Sequence, residues 1–175
     1  NGLDSPGHYS TARDLATLAA YAMKNPIFAK TVSTKSIRIG QRSLTNHNKL
    51  LWRVEGADGV KTGFTKAAGR ILVSSAVRNN RRLIAVTMDA PDDWNDHASL
   101  LENGFSRYST RRIVNAGEYI GFLDVVGGEN CRVEVLAAED LDCPVAPEEN
   151  PQLVLPGKDF IYAPVVEGAE AGFAY

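Results

Sequence analysis

The chain has 175 residues, 44% of them apolar and 23% charged, and its 19 Lys+Arg against 21 Asp+Glu leave a formal charge of −2. These values exclude intrinsic disorder and collagen-like or coiled-coil repeats, and a balanced charge without Lys/Arg blocks argues against nucleic acid as the main partner, because that binding rests on phosphate neutralisation. No apolar run approaches the roughly 18 residues that span a bilayer, and two cysteines, Cys131 and Cys143, cannot form a disulfide scaffold. The chain opens on Asn1 without Met or a basic and apolar leader, and Glu170 to Tyr175 stops in an apolar stretch, so both ends read as cut.

Residues 1–6 are turn-rich, and Thr11 followed by Asp14 resembles a capping box, so a helix is expected from there to about Asn25. Its buried stripe is Leu15, Leu18, Ala19 and Ala22, with Lys24 closing the last turn. Asn25-Pro26 repeats the start signal for a short helix over Ile27 to Val32. A hairpin is expected from 35–39 and 42–45 around Gly40-Gln41. Asp58-Gly59 leads into a strand through Thr65, and the strands 71–77 and 83–88 flank Asn79-Asn80 as a second hairpin. Asp92-Asp93 opens an amphipathic helix buried through Trp94, Ala98, Leu101 and Phe105 and closing near Tyr108.

After Thr110 the composition shifts to Val, Gly, Pro and Glu, with short strands expected at 119–121, 131–136, 153–155 and 160–162. The chain therefore reads as two domains, 1–108 and 109–175, the second all-β. About 65 residues make a marginal free-standing fold, which reads as an incomplete one.

The chemistry-bearing string is Gly59-Val60-Lys61-Thr62-Gly63-Phe64-Thr65, followed by Ala67-Ala68-Gly69. On a strand Lys61 and Gly63 share a face, which sets a cation beside an empty position, and Gly63 lets a bound peptide approach the backbone in the manner of strand addition. Thr62 offers a hydroxyl to a carboxylate, although simple alternation turns it away from Lys61 and only twist at a sheet edge brings both to one ligand. Taken alone, Lys-Thr-Gly is a common tripeptide on an ordinary strand. His8 and His97 have no metal-ligand spacing, Cys131 and Cys143 form no Cys-x-x-Cys pattern, and no metal site is expected. The two cysteines read as buried thiols, with a disulfide left open. Asp89, Asp92, Asp93 and Asp96 read as helix-start acids rather than a cation site, and Arg81-Arg82 and Arg111-Arg112 as solvated turn and linker charge.

In its wider context the string resembles a known family. Asn1-Gly2-Leu3, Tyr9-Ser10-Thr11-Ala12-Arg13-Asp14-Leu15, Asn46-His47-Asn48-Lys49-Leu50-Leu51, Asp58 to Thr65 and Ala68-Gly69 are similar, in order, to the D-alanyl-D-alanine carboxypeptidases of the low-molecular-mass penicillin-binding kind. The resemblance implies a mixed α/β (α+β) fold: the C-terminal half of a β-lactamase/transpeptidase-like catalytic domain over 1–108, then the start of a small all-β domain.

It also implies a serine-type hydrolase of peptidoglycan stem peptides that is acylated by β-lactam antibiotics, acts outside the cytoplasm in building the cell wall and setting cell shape, and needs no cofactor. The family's nucleophile motif, Ser-x-x-Lys, and its second motif, Ser-x-Asn, do not occur here, and no Tyr-x-Asn replaces the latter. This chain is therefore expected to be inactive alone and to need the missing N-terminal half, on the same or a separate polypeptide; membrane attachment of the whole protein is left open. By resemblance, Lys61 supplies positive charge near the substrate carboxylate and the nucleophile, Thr62 hydrogen-bonds that carboxylate, Gly63 keeps the strand approachable, Thr65 joins the substrate-binding set, and the backbone N–H of Phe64 is one oxyanion donor. His47 occupies the place where certain relatives carry a permanent cation for the substrate carboxylate. A serine β-lactamase-like hydrolase and a non-catalytic peptidoglycan- or protein-binding module are the competing readings.

Overall fold

The computed structural model describes residues 3–154 and 160–174. The chain divides into two compact units, the first ending at Arg107 and the second beginning at Tyr108. Asn1 and Gly2 of the opening motif, and Leu155 of the strand expected at 153–155, lie outside the described residues, while Leu153 and Val154 carry no strand.

The first unit starts with α1 (Ala12–Ala22), whose Thr11 hydroxyl accepts the Asp14 N–H at 3.1 Å. Ala19 and Met23 are buried, but Leu18, expected in the same stripe, is 63% exposed. It stands about 100° around the helix from Ala19, the side turned to the sheet. Lys24 falls beyond the last turn rather than within it. In α2 (Pro26–Ser33) the Asn25 carboxamide oxygen accepts from the N–H groups of Ile27 and Phe28 at 2.9 and 3.2 Å. The hairpin β1 (Ser36–Ile39) and β2 (Arg42–Thr45) pairs Ile37 with Leu44 and is exposed along its length. A one-turn helix, α3 (Leu50–Arg53), follows; it buries Leu50 and Leu51 and is too short to leave a periodic signal in the sequence.

The centre of this unit is an antiparallel sheet of β3 (Ala57–Thr65), β4 (Gly69–Arg78) and β5 (Arg81–Met88), in that spatial order. Asn79 and Asn80 adopt φ of 49° and 60°, the left-handed pair that a two-residue type I′ hairpin needs. One sheet face, through Leu72 and Ala76, meets Leu50, Val54 and the Leu101 of α4 (Asp93–Arg107), with Trp94, Ala98 and Phe105 packed around them. The stripe expected on this last helix is the one that is used. Arg78 at the end of β4 forks onto Glu102 of α4 (Nη1···Oε2 2.8 Å) and lies over the Phe105 ring, which holds the Glu102 carboxyl below its usual pKa. Arg81 and Arg82 are in β5 rather than in a free turn: Arg81 donates to the Phe105 carbonyl at 2.7 Å and Arg82 pairs with Asp58 at 2.8 Å.

The second unit contains β6 (Ser109–Val114), β7 (Tyr119–Val126), β8 (Arg132–Leu136), β9 (Leu141–Val145) and β10 (Phe160–Tyr162). β6 pairs antiparallel with β9, while β7 sits between antiparallel β8 and parallel β10. Arg112 is in β6 and not in a linker, and it pairs with Asp140 and Asp142 at 2.7 and 2.5 Å. Cys131 is an exposed thiol and Cys143 a half-buried one; neither is bonded to the other. Among the described residues no helix is long and apolar enough to cross a membrane.

Candidate active-site groove

Among the described residues β3 is an edge strand, hydrogen-bonded in the sheet to β4 alone. Its first half leans on α2. A Cβ placed on Gly59 would come 3.0 Å from Val32 Cγ2 and 3.6 Å from Met23 Sδ, so a glycine here is what lets strand and helix lie this close. Beyond Gly59 the strand turns to solvent: Lys61, Gly63 and Phe64 are exposed and Thr62 is half-buried.

The loop from β2 to α3 forms the opposite wall. Asn46 donates its carboxamide N–H bonds to the carbonyls of Val32 (3.2 Å) and Thr34 (3.1 Å), and its oxygen accepts the Asn48 N–H at 3.0 Å. Asn48, buried, donates to the Gly59 carbonyl at 2.9 Å and accepts the Leu50 N–H at 3.1 Å. Every carboxamide group of this pair is thereby used inside the protein, as buried polar groups must be. His47, between them, is left exposed.

These elements enclose an open groove of about 340 Å³ lined by residues 31–32, 45–48 and 60–62. Of the sequence-predicted residues it gathers Lys61, Thr62 and His47. Lys61 and its neighbour Thr62 both reach it because the groove runs along a free strand edge, where residues of either sheet face are accessible; inside a sheet, alternation would separate them. The Lys61 ammonium is folded back on the carbonyl of Thr62. Gly63, Phe64 and Thr65 continue the strand past the lining residues. A Cβ at Gly63 would meet only the Ile71 carbonyl, at an ordinary 3.7 Å, so this chain's own packing does not require glycine there. The Thr65 hydroxyl accepts the Ala68 N–H at 3.0 Å and shapes the β3–β4 turn. At Gly69 (φ +69°) a Cβ would collide with the Asp89 side chain, which accounts for the Ala68-Gly69 pair.

Sequence reasoning missed the polar cluster under α4. His97 is fully buried; its Nδ1 lies 2.5 Å from the Ser74 hydroxyl of β4 and its Nε2 2.9 Å from the Thr87 hydroxyl of β5. Burial pushes its pKa down to about 4 against the opposing pull of Asp93 and Asp96. Asp93, read as a helix-start acid, is also buried and bonds Arg70 at 2.8 Å. The signal was present in the sequence: His97 occupies the stripe of Trp94 and Leu101, and Ser74 interrupts an apolar strand. Among the described residues no group of three or more His, Cys, Asp or Glu side chains is arranged to hold a metal ion.

An antiparallel sheet with helices on it, and a Lys-Thr-Gly edge strand facing an open groove, define a transpeptidase/β-lactamase-like domain. The D-alanyl-D-alanine carboxypeptidase family matches residues 1–92, and the chain belongs to that family. D-alanyl-D-alanine carboxypeptidase DacA of Haemophilus influenzae is 36% identical over 146 residues, covering 80% of this chain and 37% of that protein. The crystal structure of penicillin-binding protein 5 from Haemophilus influenzae superposes with a TM-score of 0.73 at 31% identity, over 99% of this chain and 53% of that one. Penicillin-binding protein D2 of Listeria monocytogenes in its cefotaxime-bound form gives 0.55 at 33%, over 59% of this chain and 45% of that one. The chain thus spans about half the length, or less, of the relatives it matches.

Proposed function

We propose that this chain is the Lys-Thr-Gly wall of a serine-type D-Ala-D-Ala carboxypeptidase of the cell wall, completed by an N-terminal half carrying Ser-x-x-Lys and Ser-x-Asn. The observation that carries this reading is the meeting of Lys61, Thr62 and His47 in one groove along an open strand edge, in a chain of this family. The C-terminal D-Ala of a peptidoglycan stem peptide lies along β3. Thr62 hydrogen-bonds its carboxylate, Lys61 contributes positive charge, His47 adds a donor from the facing wall, and Gly63 leaves room for the peptide backbone. The serine hydroxyl attacks the carbonyl between the two D-alanines, its proton passing to the departing amine; D-Ala leaves, and water then releases the shortened peptide from the acyl-serine. The Phe64 N–H is one of two oxyanion donors, the other belonging to the serine. β-Lactams follow the same acylation route, and a murein substrate makes the whole protein extracytoplasmic. The second unit is the opening part of the C-terminal β-domain.

Incubation with a labelled penicillin and intact-mass measurement test this. A stoichiometric adduct is expected on the full-length protein and none on residues 1–175 alone. An adduct on the isolated chain, or no adduct on the full-length protein, overturns the reading.

A further inference from the structure

The three segments that line the groove are not held together by the sheet. Residues 31–32 belong to α2, Thr45 to the end of β2, residues 46–48 to the loop after it and residues 60–62 to an edge strand. Beside a backbone bond from Asn46 N–H to the Lys35 carbonyl (2.8 Å), they are joined by a relay of carboxamides: the Val32 and Thr34 carbonyls accept from Asn46, Asn46 accepts from the Asn48 backbone, and Asn48 donates to the Gly59 carbonyl. Asn48 is the last link, next in sequence to His47 on one wall and bonded to the residue two before Lys61 on the other.

We infer that Asn48 is a positioning residue that sets the width of the groove, and through it the fit of the substrate's terminal carboxylate between His47 and Thr62; this rests on the carboxypeptidase reading above. Asn48 is 2% exposed, so a carboxamide at this position has been taken out of water. Its two groups are matched to backbone atoms of two different walls, the Leu50 N–H and the Gly59 carbonyl. An apolar residue of similar size could fill the volume, but it would remove the bond to the Gly59 carbonyl that ties the loop to β3. The approach of β3 to α2, the groove's remaining wall, has a chemically unrelated control. With no Cβ at Gly59, β3 rests directly on Val32, and a methyl there would stand 3.0 Å from Val32 Cγ2, tight enough to push the strand outward. Asn48 therefore pulls the walls together and Gly59 permits the approach.

The consequence is a selective one. A groove that has lost its width grips a carboxylate poorly but loses less for a ligand that never used that grip. In the full-length enzyme, kcat and KM are measured for an N-acylated D-alanyl-D-alanine and for its C-terminal amide, with sites counted by benzylpenicillin titration. The wild type favours the acid. Asn48→Ala and Gly59→Ala are each expected to lower the acid-to-amide ratio of kcat/KM by roughly 10- to 100-fold, the scale of an ångström-level misplacement, with KM for the acid carrying most of the loss. Asn48 contributing to folding alone would lower the melting temperature and the titratable fraction while leaving the ratio per titrated site at its wild-type value. That result, or loss of all titratable sites in both variants, overturns the inference. A wild type that turns over neither substrate overturns the carboxypeptidase reading itself and the inference with it.

Discussion

One face of the central sheet and its free edge hold polar groups under opposite conditions. Beneath α4, Ser74, Thr87 and His97 are enclosed and bonded to one another, and Asp93 is bonded to Arg70. Along β3, Lys61 and His47 are exposed, and Thr62 shares their groove. A buried polar group that is satisfied by its own protein has nothing left to offer a ligand, whereas one at a free edge does. The difference separates a histidine that fastens a helix to a sheet from one that lines an open groove, which composition and spacing could not do.

The comparison is broken most forcefully by emptying the enclosed side. Leu72→Ala, at a fully buried position, is expected to cost about 2–5 kcal/mol, read from urea unfolding. A cost below 1 kcal/mol would mean that the α4 face is not the core. On the open side Lys61→Ala should leave the melt unchanged and slow penicillin acylation of the full-length protein by about 10²–10³-fold, the scale of losing one preorganised electrostatic group; an unchanged rate removes Lys61 from the site.

Acid sharpens the contrast. Because the folded pKa of His97 is near 4 and the unfolded one near 6.5, the unfolded chain takes up a proton that the folded chain resists. Stability is then lost as pH falls from about 6.5 to about 4, by up to roughly 3 kcal/mol from this residue. His97→Gln should flatten that part of the profile relative to wild type in unfolding titrations at pH 7 and 4.5; equal slopes would refute the assignment. Gly63→Ala should leave stability within about 0.5 kcal/mol while reducing acylation roughly tenfold or more by crowding the peptide. If stability falls instead, the glycine serves the fold. The smallest effect is expected far from both sides: Arg132→Ala breaks the exposed pair with Asp124 (2.8 Å) and should give a melt that overlays the wild type.

Much of the first unit was legible in the sequence because its signals are short-range. Thr11 with Asp14, Asn25 with Pro26, and Asn79-Asn80 each act on backbone within four residues, and each does so in the structure. The stripe of α4 was legible for the same reason. Leu18 was misread because periodicity gives a face and not its width, and α3 because one turn has no period. Strand β6 was missed since Arg111-Arg112 read as linker charge, and β9 since Pro144 masks the alternation of Leu141, Cys143 and Val145; what makes them strands is their pairing with each other.

By itself the sequence determined that Lys61, Thr62 and Gly63 lie in succession on a strand, and that the segments around them come in the order of one enzyme family. Only the tertiary structure decided that residues 31–32, 45–48 and 60–62 share one groove, and that His97 closes on Ser74 and Thr87. Caps and turns are settled by hydrogen bonds between near neighbours, which a linear string displays. A groove depends on the close approach of segments far apart in the chain, here carried by two asparagine side chains and the missing Cβ of Gly59, and nothing in the string marks those partners until the chain has folded.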